Sequence, residues 1–337
     1  RLAVNRYVEV IDDSIYPDGA QLELATGYGY IAFRSTLKVY RLLKESGSAI
    51  PPALNATLQR QLGFYAWIMK PNGRLLCHGD TDPKKNIKKA TAAVARELGH
   101  AEALFIATDG KEGRKPAGPP SRFFNWSGFA ISRNGFGPNS QWCGFNMGPL
   151  GTGHTHPDQL SFELYNEREI LVDPGRYKYS WIGGWSPDYF RASRGHNTVT
   201  VDGGTLSRQG YSEVEKPPDP ADTAALNAFH RARNSKSVDP LGQHEKAVIT
   251  PGYDAFMGRT LNPYITRFKV GERLPGDAVH ERAIYYERGQ FWVVVDRVTS
   301  DRPRKIEAFW HFHPHCEQVE ILPDGSVASL DPEAGNL

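Results

Sequence analysis

Apolar residues recur at helical spacing up to about residue 107 and at a spacing of two in short runs further on. In the first stretch Tyr30, Phe33, Leu37 and Tyr40 form one row, Leu54, Leu58, Leu62 and Tyr65 a second, and Ile87, Val94 and Leu98 a third. Residues three and four apart share a helix face, so residues 1–107 are predicted to be packed helices. Turn formers break the rows at Pro17-Asp-Gly19, at Gly47 before Pro51-Pro52, at Pro71-Asn-Gly73 and at Gly79-Asp80-Thr-Asp82.

Residues 108–122 hold Asp-Gly, Glu-Gly, Lys-Pro and Gly-Pro-Pro with few apolar side chains, which predicts a linker. Beyond it, alternation predicts strands at 129–133, 160–165, 198–201, 283–286, 291–298, 306–312 and 327–330. Short strands without intervening helices predict an antiparallel all-β domain over 123–337, a β-sandwich, with its C-terminal end open to truncation. No fixed-period repeat suggests a solenoid or propeller.

Composition narrows the functional classes. The 337 residues are enough for two cores, and no apolar run approaches the roughly 18 residues of a membrane span. Lys and Arg number 40 against 38 Asp and Glu, with no basic stripe, so neither nucleic acid nor membrane is an expected partner. Cys77, Cys143 and Cys316 are too few and too scattered for a disulfide framework or a Cys-rich metal knuckle. Oligomeric state is not readable.

The chemistry concentrates between His154 and Gly203. His154-Thr-His156-Pro-Asp158, then Leu171-Val-Asp173-Pro-Gly175, then His196-Asn-Thr-Val stand beside alternating apolar residues. Neighbouring short strands could bring imidazole, carboxylate and imidazole together, a donor set suited to zinc. A lone histidine is more often a satisfied, partly buried imidazole; three ligand types in this order favour the metal. His154 and His156 would point the same way on an extended strand, but the flanking glycines and Pro157 allow their directions to split.

These motifs, together with Pro17-Asp-Gly-Ala-Gln-Leu-Glu23, Gly27-Tyr28-Gly-Tyr30, Gly79-Asp80-Thr-Asp82 and Tyr189-Phe-Arg191, follow the order of a known family. Over nearly its whole length the chain resembles the heparinase II/III-like polysaccharide lyases. The resemblance implies the later helices of an α/α toroid followed by an antiparallel β domain. It also implies β-elimination on uronic-acid-containing polysaccharides outside the cell or in the periplasm. By the same resemblance Tyr28 is the proton-transfer residue, with Tyr30 a competing choice, and His154 faces the substrate carboxylate. His156, Asp173 and His196 would hold a structural zinc, and Tyr189 and Arg191 would reach the sugar. Without the resemblance, both tyrosines read as amphipathic rim or core aromatics.

Elimination explains why such residues are needed. The carboxylate of the uronate must be neutralised as enolate-like charge grows on it, and a base must reach the adjacent carbon acid. A phenol with an ordinary pKa near 10 serves as that base once donors or cations surround it.

One departure stands out. The family carries an Asn-His pair upstream of the Asp-Gly-x-x-x-Glu segment, and this sequence has no Asn-His dipeptide. The helix already under way at the first residue leads us to expect the pair on a preceding segment; the alternative is a carbohydrate-binding relative that has lost elimination. A second rival is a zinc hydrolase using His154-x-His156-x-Asp158, although Gln159 stands where such motifs have another histidine. His311, His313 and His315 are expected to form a solvated strand face, while Trp142, Trp181 and Trp185 could stack on sugars or fill a core.

Overall fold

The computed structural model describes residues 2–151, 153–177, 186–207, 246–260, 263–268, 271–316, 318–331 and 335–336. Trp181 and Trp185 lie outside them. Five helices come first: α1 (Leu2–Ser14), α2 (Thr26–Glu45), α3 (Pro52–Ile68), α4 (Lys88–Leu98) and α5 (Ala101–Ala107). Pro52 opens α3, where a missing N–H costs nothing. Helix α3 packs against the other four helices or their cores, and Leu54, Leu58, Leu62 and Tyr65 are buried along it.

No helix or strand occupies residues 108–121. The strands then run β1 (Arg122–Phe124), β2 (Phe129–Arg133), β3 (Trp142–Asn146), β4 (Phe162–Asn166), β5 (Arg168–Leu171), β6 (Val199–Val201) and β7 (Thr205–Leu206). After these come β8 (Lys246–Ile249), β9 (Tyr253–Arg259), β10 (Tyr264–Ile265), β11 (Ala278–Glu287), β12 (Phe291–Ser300) and β13 (Ile306–Ala308). The described chain ends with β14 (Gln318–Ile321), β15 (Val327–Asp331) and β16 (Gly335–Asn336). All pairings are antiparallel, with β1 to β5 in chain order in one sheet and β12-β11-β9-β8 in another.

The first sheet is covered on both faces. Phe129, Ile131, Trp142 and Tyr165 join the helical core, while Ala130, Cys143, Phe145 and Phe162 pack with Phe256 and Ile284 of the second sheet. Every residue of β2 and β3 is therefore buried, which hides the alternation that would have marked β3 in the sequence.

Polar ties fix the helices to this sheet. Lys70, just past α3, is buried between Glu163 and Glu169, lying 2.8 Å from the latter, and Arg74 reaches Glu169 at 2.5 Å. The Asp18 carboxylate accepts from the backbone N–H groups of Trp126 and Ser127 and from the Ser127 hydroxyl. From the second sheet, the buried Arg282 donates to the carbonyls of Leu160 and Asn197 and makes a two-point contact with Asp296 at 2.7 and 2.9 Å. Arg282 thus clamps the two segments that carry the histidine motifs.

Candidate functional site

Two loops from the strand half and two segments from the helical half meet at the site. Helix α2 starts at Thr26 without a capping side chain of its own, and Thr81 supplies one, accepting from the Gly27 N–H at 2.8 Å. That contact holds the 76–82 loop against the start of α2, where Tyr28 sits. The same loop has Gly79 at φ +62°, and a Cβ there would lie 2.4 Å from the His154 carbonyl oxygen. The Asp80 N–H donates to that carbonyl at 2.7 Å, so the strand-half histidine loop closes directly onto the helical half.

His154 and His156 point apart. His154 lies in a loop at φ +53°, not on a strand, and its ring stacks on Tyr28 with centroids 3.6 Å apart and planes 9° apart. Its Nδ1 is 3.0 Å from Glu23 Oε2. Tyr28 is half-buried, whereas Tyr30 is buried in the helical core, edge-on to Tyr65 at 5.3 Å, and burial pushes its phenol pKa up. The geometry separates two tyrosines that local spacing could not.

His156 turns inward to a buried cluster. One ligand atom from each of His156, Asp158 and His196 lies within 4.8 Å of the others. The same three residues keep buried polar atoms without hydrogen-bond partners, namely His156 Nδ1, Asp158 Oδ1 and His196 Nε2. Buried polar atoms left unpaired are costly, and three on one cluster fit a cation coordinated by two imidazoles and a carboxylate. The opposite nitrogens are occupied: His156 Nε2 is 3.1 Å from Asp80 Oδ1, and His196 Nδ1 is 2.6 Å from Asp173 Oδ2. A carboxylate on the outer nitrogen orients a ligating histidine.

Asp173 adjoins this cluster: its Oδ2 meets His196 and its Oδ1 accepts from the Gly175 N–H, while among the described residues the carboxylate grouped with the two imidazoles is that of Asp158. Asp158 is anchored through its other oxygen, which takes the Gly79 N–H and lies 2.9 Å from His78 Nδ1.

Neighbouring groups shift these residues in different directions. Burial lowers the His156 pKa from its ordinary value despite Asp80, which favours the neutral ring a ligand needs. Burial works against the His196 cation too, but Asp173 outweighs it and raises that pKa. Asp158 stays well below the usual carboxylate range despite burial, because His78, His196 and His156 surround it.

Arg191 Nη2 donates to both carboxylate oxygens of Asp80 at 3.0 and 3.1 Å, so its charge joins the wall behind His156. Tyr189 stands edge-on to His311 at 6.2 Å. The predicted face of three histidines does not form, because β13 ends at Ala308: His311 turns to Asn197, while His313 and His315 stack at 4.0 Å. Trp142 is a core residue. Sequence reasoning gave no role to Glu23 or Asp80, although both sit in motifs it singled out, and it gave Asp158 a ligand role only in the hydrolase pattern. It missed the buried Lys70, Glu163 and Glu169 entirely.

Residues 116–254 match the family model described as Heparinase II/III-like, C-terminal. The chain is 28% identical over 342 aligned positions to a heparin-sulfate lyase of Bacteroides stercoris, covering 99% of this chain and 44% of that protein. It is 30% identical over 202 positions to a heparin-sulfate lyase of Pedobacter heparinus, covering 57% of this chain and 30% of that one. The crystal structure of heparan sulfate lyase HepC from Pedobacter heparinus aligns over 98% of this chain and 46% of its own, with a TM-score of 0.72 and 20% identity. A Heparinase III gene product aligns over 98% and 48%, with a TM-score of 0.69 and 22% identity. These structures share the fold, a mixture of helices and antiparallel sheets. The chain spans less than half the length of the curated relatives it matches.

Proposed function

We propose that the chain, whose residues 116–254 match the heparinase II/III-like model, carries the active centre of a polysaccharide lyase cleaving uronic-acid-containing glycans by β-elimination. The observation that carries this reading is the Tyr28–His154 stack, which joins a phenol from the helical half to an imidazole from the strand half. Two relatives named heparin-sulfate lyases support the reaction class. In this reading the five helices are the later part of an α/α toroid, and the two large sheets form a β-sandwich.

His154 neutralises the uronate carboxylate as negative charge develops on it, and Tyr28 takes the proton from the adjacent carbon and returns one to the leaving oxygen. Tyr189 and Arg191 line the sugar side, Arg191 through its hold on Asp80. Zinc would be held by His156 and His196 with a carboxylate from Asp158, and Asp173 would orient His196. Bound there, it supplies a fixed positive charge that stiffens the wall behind His154. Substrates of this kind are external polysaccharides, so the proposed location is the periplasm or outside the cell.

Incubating the protein with heparan sulfate and other uronate polysaccharides tests the reading. Elimination gives a 4,5-unsaturated uronate that absorbs in the ultraviolet; a shortened glycan without that chromophore would identify a hydrolase. Binding with no cleavage would point to a carbohydrate-binding relative.

A further inference from the structure

We propose that Glu23 is a positioning residue, fixing the tautomer and the orientation of the His154 ring against Tyr28; the proposal rests on the lyase reading and assigns a new member to that site. Glu23 Oε2 lies 3.0 Å from His154 Nδ1. A carboxylate only accepts, so Nδ1 carries a hydrogen and Nε2 is the nitrogen left to meet a substrate.

The backbone supports the same assignment independently. His154 adopts φ +53°, a conformation that is unfavourable for a non-glycine residue and persists only where surroundings enforce it. The loop leading to it is moulded on Glu23. A Cβ at Gly151 would lie 1.8 Å from the Glu23 carbonyl oxygen, and one at Gly153 would lie 3.3 Å from its carboxyl group. Glu23 is also only five residues before Tyr28. One short segment thereby sets the phenol and holds the imidazole stacked on it.

The test combines Glu23→Ala and Glu23→Gln with nitrogen-15 NMR of labelled histidines, using His154→Gln to assign the signal. At a pH where the ring is neutral, His154 should be protonated at Nδ1 in the parent protein and in Glu23→Gln, whose amide oxygen still accepts. In Glu23→Ala it should become a mixture of tautomers. With uronate polysaccharide, kcat should fall on the order of 10²-fold in Glu23→Ala with little change in KM, and Glu23→Gln should recover about tenfold of that loss. An Nε2-protonated ring in the parent, an unchanged tautomer in Glu23→Ala, or parental kcat in both variants would overturn the proposal. If the parent makes no unsaturated product, the lyase reading fails while the NMR result still decides the place of Glu23.

Discussion

His154 lies flat on Tyr28, 3.6 Å between ring centroids, although one residue comes from the helical region and the other from a loop of the strand region. Stacking leaves the phenol edge and the imidazole edge side by side, as a shared substrate would need. Replacing Tyr28 by Phe keeps the stack and removes the hydroxyl. Elimination should then fall by at least about 10³-fold, with stability changed by no more than about 1 kcal/mol. Initial rates of ultraviolet absorbance and a thermal melt check both. Turnover at the parental rate would remove Tyr28 from the chemistry.

The cluster of His156, Asp158 and His196 makes a graded prediction about zinc. His156→Ala and His196→Ala should abolish stoichiometric zinc binding, and Asp158→Asn should weaken it more than Asp173→Asn. The latter removes an orienting partner and should cost about 10- to 100-fold in affinity. Competition with a chromophoric chelator measures each value. An Asp173→Asn loss exceeding that of Asp158→Asn would make Asp173 the direct ligand.

Lys70 is buried between two carboxylates, so Lys70→Met should destabilise the protein by about 3–5 kcal/mol. Burial pushes the Glu163 pKa up to about 7 even though Lys70 opposes it. A carboxyl whose folded pKa is raised binds more protons folded than unfolded, so its contribution to stability declines as pH rises through that interval. The Lys70→Met loss should therefore be smaller at about pH 5 than at about pH 8. Urea unfolding at the two pH values checks this, and an equal loss at both would contradict it.

Asp296 responds with the opposite sign. Burial disfavours its charge, but His280 and Arg282 hydrogen-bond to it and hold its pKa well below the usual carboxylate range. Its contribution is present above the unfolded pKa of about 3.9 and is lost as pH falls below that value. Asp296→Asn should lower stability at neutral pH and flatten the decline between about pH 5 and about pH 3. Denaturant midpoints across that range measure the slope, and an unaltered slope would show that other groups cause it.

The helical rows were legible because each is a local pattern with a single covered face. Leu54, Leu58, Leu62 and Tyr65 are buried on α3 as their spacing requires. Strands such as β9 and β11 were found only in part or not at all. In β3, Trp142, Cys143 and Phe145 are buried from both sides, so no polar alternation was left to read. The paired histidines were visible as candidates, but the bend that separates them arises from His154 at φ +53° and the backbone contact to Asp80.

The amino-acid order alone determined that helices precede strands and that imidazoles and carboxylates gather between residues 154 and 203, because periodicity and residue type are properties of short segments. Tertiary structure decided which partners met. Asp80 reached His156 across 76 positions and Glu23 reached His154 across 131, while Tyr30 sank into the core and Tyr28 stacked on His154. Such pairings follow from how covered faces pack against one another, a balance over the whole core that no short stretch of chain encodes.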